Sequence, residues 1–144
     1  MSMKEKLETA KTRSEHELAC LREEQPTYES VYTHLKNFIC QRFLIDDGFF
    51  DDSIAALATH SIDLAIAQAE QAEGQGESLH DLSMNCAGAS SSETKRALLY
   101  ITLRKALNLD MPPSMVATHD TVSLLAEEIT RQLVAQREAG QGNA

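Results

Sequence analysis

Apolar residues in this chain recur every three or four positions and nowhere settle into one-in-two alternation. That period turns one face of an α-helix inward, whereas a half-buried strand needs alternation. Val31, Leu35, Phe38, Ile39 and Phe43 make one such face, and Val122, Leu125, Ala126, Ile129 and Leu133 make another. Ile62, Ala65, Ile66 and Ala69 mark a third, running to about Ala72. Between Ala97 and Leu107 the chain is apolar nearly all round (Leu98, Leu99, Tyr100, Ile101, Leu103, Ala106), which suits a central, well-covered helix. The spacing predicts an all-α fold.

Breakers set the ends of these helices. Pro26 closes an N-terminal charged segment, residues 1–25, whose apolar stripe is thin: Leu7, Ala10, Leu18 and Leu21. That segment reads as an extra helix, loosely packed or used for self-association. The helix beginning near Tyr28 runs to about Leu44, and Asp46-Asp47-Gly48 ends it. Phe49 and Phe50 follow and are expected to plug the core from a loop. Ser61 stands between a polar run and the third apolar face, which places it at or beside a helix N-cap. A hydroxyl there would be exposed at the positive end of the helix dipole, where a phosphate is electrostatically favoured. Residues 73–91, opening with Glu73-Gly74-Gln75-Gly76-Glu77, read as an inserted, mobile segment. Ser90-Ser91-Ser92-Glu93 has the form of a capping box, with Ser90 as N-cap and Glu93 at N3. Met111-Pro112-Pro113 forbids continuation. A loop with a short helix follows, and Asp120 or Thr121 caps the last helix. Residues 138–144 are expected to be a disordered tail.

Charge and chemistry narrow the function classes. The 22 Asp and Glu against 13 Lys and Arg give a net charge of −9, which opposes nucleic-acid binding and suits docking against basic surfaces. The cysteines, Cys20, Cys40 and Cys86, have no paired spacing, as in a reducing cytosol. Neither a secretory leader nor a membrane-length apolar run is expected. His16, His34, His60, His80 and His119 show no local ligand spacing, so no metal site is expected. Phosphate loops and nucleophile elbows are not evident, and an enzyme is not expected.

The stretch Leu57-Ala58-Thr59-His60-Ser61-Ile62 resembles the attachment site of acyl and peptidyl carrier proteins, whose pattern is roughly Leu-Gly-x-Asp/His-Ser-Leu/Ile. His60 is similar to the peptidyl type and Asp63 to the fatty-acid type, while Ala58 stands where those proteins have Gly. Residues 97–112 resemble the later part of a carrier's second helix and its Ile/Leu-Pro loop. Residues 116–129 resemble the third and fourth helices. The resemblance covers residues 28–133 in pieces, with an insertion near 73–91.

It implies a carrier-like four-helix bundle over 26–137 in the cytoplasm, with the N-terminal helix added. It implies a 4'-phosphopantetheine arm, taken from coenzyme A, on Ser61, with His60, Ile62 and Asp63 around it. A cargo held on that arm as a thioester would serve fatty-acid, polyketide or nonribosomal-peptide type biosynthesis. The implied partners are a phosphopantetheinyl transferase and acyl-activating, acyl-transferring or condensing enzymes with basic docking surfaces that read the acidic face Asp63, Glu70 and Glu73. Nucleic acid and membrane are not among them. Two alternatives stay open: an arm on Ser90, Ser91 or Ser92, or an unmodified helical adaptor with a degenerate carrier fold.

Overall fold

Helices take up most of the described residues. The computed structural model describes residues 2–74 and 91–142. Within them lie α1 (Met3–Glu23), α2 (Tyr28–Arg42), α3 (Ile54–Gly74), α4 (Ser92–Leu107), the short α5 (Met115–Thr118) and α6 (Val122–Gly142). The fold is all-α. Among the described residues, extended pairing is confined to a single antiparallel bridge between Ser53 and Thr121. No described helix is long and apolar enough to cross a membrane.

Ser2 and Glu5 form a capping box at the start of α1. The thin stripe on α1 packs closely against α2. Ala10, Leu18 and Leu21 are buried, together with Ser14, whose hydroxyl donates to the Lys11 carbonyl. Small residues at the contact let the two axes approach. Arg137 on α6 donates to the Arg22 and Glu24 carbonyls, so α6 also closes the carbonyl end of α1. α2 buries Val31, Leu35, Phe38 and Ile39, with Phe43 at its C-cap, as its period predicts. Leu44 then turns with φ 56°, and Gly48 takes φ 83°, a conformation glycine adopts without strain.

Three expected helix ends are corrected. α3 begins at Ile54, ahead of the expected start at Ser61. Nothing from Ile54 to His60 breaks a helix, and Ala55, Ala56, Leu57 and Ala58 are strong formers. The cap is Ser53, whose Oγ accepts from the Ala56 N–H at 3.2 Å. At α4 the cap is Ser91, one residue later than expected, with its Oγ accepting from the Thr94 N–H at 3.1 Å and 2.8 Å from the Thr94 hydroxyl. Ser90 lies outside the described residues. The tail expected to be disordered from Glu138 is helical through Gly142.

The core is built by α2, the first turns of α3, one face of α4, and α6, around Phe38, Ile54, Leu57, Leu103, Leu125 and Ile129. α4 is not covered all round. Leu99, Tyr100, Leu103 and Leu107 are buried, while Leu98 is 47% and Ile101 39% exposed. Asn108 ends α4 in the left-handed conformation, φ 54°, a geometry Asn tolerates. Phe50 sits half-buried beneath the Lys36 ammonium, but Phe49 is largely exposed, so one phenylalanine of the expected pair reaches the core. The expected mobile segment falls mostly on residues 75–90, outside the described ones, as does Cys86.

Candidate functional site

Ser61 lies about two turns inside α3 and is 4% exposed. Its hydroxyl donates to the Phe43 carbonyl, which α2 leaves without a helical partner. The same atom therefore stitches α3 to the end of α2. This overturns the expected exposed N-cap: the helix is capped earlier, at Ser53, and with no breaker from Ile54 to His60 it continues through Ser61. The space beside Ser61, between Phe43, Leu64 and Ala65, is ≈ 20 Å³, room for one water.

The residues expected around Ser61 do not converge on its hydroxyl. His60 is half-buried and turned to the preceding loop. Its Nε2 is 2.7 Å from Asp47 Oδ2, and its ring stacks on Phe49 with centroids 4.0 Å apart. The Phe49 backbone N–H, and after it His60, hold the Asp47 carboxyl below its ordinary range. Asp63 is exposed, as is Glu70 farther along α3, and Ile62 is half-buried. The rival serines fare differently: Ser91 is exposed at the cap of α4, and Ser92 is its first helical residue.

A second region is open. α4, the Pro112-Pro113 loop and α5 enclose a groove of ≈ 380 Å³, lined by Ala97, Tyr100, Ile101, Arg104, Met111, Pro112, Pro113 and Val116. Its floor is fixed by Tyr100, whose hydroxyl donates to the His119 carbonyl and so ties α4 to the end of α5. Burial, and then the Asp120 charge, push this phenol far above its ordinary range. It is a structural hydrogen-bond donor at physiological pH. Leu98, one turn before Ile101, extends the apolar face outward. Four cations lie on the same helix, Lys95, Arg96, Arg104 and Lys105, against one acid, Glu93. In a chain of net charge −9 this is a local reversal of sign.

Among the described residues, the side chains that could jointly hold a metal are Cys20, Glu24 and His34, between α1 and α2. They share nothing with Ser61 or with the groove. No protein-family model, curated protein or solved structure matches the chain.

Proposed function

We propose that this chain is a non-catalytic helical docking module that works without a covalent arm on Ser61. The observation that carries this reading is the exposed apolar pair on α4, Leu98 and Ile101, of which Ile101 lines the α4–α5 groove beside Arg104. Uncovered apolar residues beside a preformed groove are what a partner's apolar anchors require. The partner segment is defined by complementarity: an amphipathic stretch with one or two large apolar anchors and flanking carboxylates. Ser61 supports the reading from the other side, because a hydroxyl engaged with Phe43 under the loop offers no approach to a transferase.

The test is binding of acidic amphipathic peptides to the full-length chain, followed by backbone amide NMR. Shifts concentrated on α4, the Pro112-Pro113 loop and α5, and abolished by Ile101→Glu, are expected. Shifts spread over the chain, or unchanged in the variant, would overturn it.

The second reading is a carrier with its arm on Ser61. It is favoured by the order of elements, a long helix, an anchored loop, the serine-bearing helix, a proline loop, a short helix and a last helix, with α4 added between the serine-bearing helix and the proline loop. It requires the residues after Phe43 to lift from α3 before the hydroxyl is reached. Intact mass after incubation with coenzyme A and a promiscuous phosphopantetheinyl transferase decides between the two. A mass increase lost in Ser61→Ala establishes the carrier, and an unchanged mass leaves the docking module.

A further inference from the structure

Cys20, Glu24 and His34 bring a thiol, a carboxylate and an imidazole together, with their ligand atoms all within 4.8 Å of one another. α1 contributes Cys20 in its last turn and Glu24 at its C-cap, and α2 contributes His34. His16, one turn before Cys20, places its Nε2 3.6 Å from the Cys20 sulfur. His34 Nε2 lies 3.3 Å from a Glu24 oxygen. Donors on one tetrahedral zinc sit about 3.3–3.7 Å apart, given bonds of about 2.0–2.3 Å. The Glu24–His34 pair already stands at that separation, and drawing Cys20 in from within 4.8 Å takes a side-chain adjustment of about 1 Å, within rotamer reach.

A second observation is independent of those distances. The other ring nitrogen of His34, Nδ1, is held by the Glu17 carboxylate. A carboxylate on Nδ1 keeps the proton there and fixes the ring so that Nε2, which donates to the Glu24 carboxylate, is turned toward Glu24 and Cys20. This is how metal-bound histidines are oriented. A simple ion pair between two helices accounts for Glu17 and His34. It does not account for the Cys20 thiol brought to the same Glu24 carboxylate and His34 ring.

We propose that α1 and α2 together form a mononuclear site for a zinc-class transition metal, with Cys20 Sγ, Glu24 and His34 Nε2 as ligands, a water completing the tetrahedron, and Glu17 as the positioning residue. The mixed sulfur, nitrogen and oxygen donors suit that class and not magnesium or calcium, which take oxygen. On binding, the Cys20 S–H bond and the His34 Nε2–H bond break, both protons pass to solvent, and sulfur–metal and nitrogen–metal bonds form with no change of oxidation state. The bound ion clips α1 to α2 and makes the docking of the N-terminal helix metal-dependent. Nothing in this rests on the α4–α5 groove.

The test uses the reduced full-length chain with Zn(II) or Co(II) alone, titrated against a chromophoric chelator. One equivalent is expected to bind with a dissociation constant below about 1 μM. Co(II) should give a thiolate charge-transfer band that Cys20→Ser removes and Cys40→Ser leaves in place. Zinc affinity should fall at least tenfold in His34→Gln and in Glu24→Gln. It should fall about 10–100-fold in Glu17→Gln, although that residue makes no bond to the metal. Circular dichroism of the metal-free variants checks that each is folded. Wild-type binding weaker than about 100 μM overturns the site. So does affinity unchanged in both Cys20→Ser and His34→Gln, or a charge-transfer band that depends on Cys40.

Discussion

Asp52, in the loop before α3, holds Ser123 in the first turn of α6 with both carboxylate oxygens. Oδ1 accepts from the Ser123 N–H at 3.1 Å, and Oδ2 accepts from the Ser123 hydroxyl at 2.8 Å. The backbone repeats the tie in both directions. The Val122 N–H donates to the Asp52 carbonyl at 2.8 Å, and the Ile54 N–H donates to the Asp120 carbonyl at 3.0 Å. Each helix start thus satisfies orphan donors of the other, and a carboxylate sits at the positive end of α6.

Removing that carboxylate should be felt at both helices. Asp52→Ala is expected to cost about 1–2 kcal/mol of stability, the range of a lost N-cap plus the dipole interaction. Ser123→Ala, which keeps the backbone bond, should cost less. Urea unfolding followed by circular dichroism at neutral pH checks the order. Equal losses in the two variants would count against the capping role.

Ser61→Ala sets two effects against each other. Losing the bond to the Phe43 carbonyl costs about 1 kcal/mol. Alanine returns about 0.5 kcal/mol in helix propensity. The expected outcome is a destabilisation of less than about 1 kcal/mol in the same urea assay, with no difference in intact mass from wild type after transferase treatment.

Tyr100 gives the fold an alkaline limit. Its phenol is raised by burial and then by Asp120, with Arg96 acting the other way, so the folded chain keeps this proton after the unfolded chain has released it. A raised folded pKa contributes stability that is whole below the unfolded tyrosine value, about 10, and is lost as pH climbs above it. The unfolding midpoint in urea should therefore fall above that pH. Tyr100→Phe should flatten the decline, while starting about 1 kcal/mol lower at neutral pH for want of the bond to His119. An ultraviolet titration in which every tyrosine ionises together near pH 10, with the helices intact, would contradict this.

At the groove, Leu98→Glu and Ile101→Glu replace exposed side chains, so each should change stability by no more than about 0.5 kcal/mol. Arg104→Glu should weaken binding of an acidic amphipathic peptide and remove much of its dependence on ionic strength, since the attraction it replaces is screened by salt. Calorimetric titrations of wild type and variant at low and high salt test both effects. A salt dependence that persists unchanged in Arg104→Glu would place the electrostatic contact elsewhere.

How far the sequence reveals this protein differs from helix to helix. The inner faces of α2 and α6 were legible residue by residue, because each is a full apolar stripe with a single period. The start of α3 was not. Thr59 and His60 read as a polar break before a serine cap, yet they are only the outer positions of a helix whose cap signal, Asp51-Asp52-Ser53, lies earlier. α4 looked fully enclosed because composition cannot tell which of Leu98 and Leu99 faces water. The grouping of Cys20, Glu24 and His34 leaves no local spacing to find. Its third member arrives from another helix, and that meeting is settled by Leu18 and Leu21 packing on α2.

The bridge between Ser53 and Thr121 reaches beyond the two caps it joins. It fastens the first half of the chain to the second through residues about 70 positions apart, and α2 against α6 and α3 against α4 close the same seam. Neither half has a core of its own, since α6 supplies Leu125 and Ile129 to the residues that α2 and α3 leave uncovered. Covalent continuity between α3 and α4 is then dispensable. Residues 1–74 and 91–144, produced as two polypeptides, should each be largely unfolded alone and should assemble into one native heterodimer when mixed.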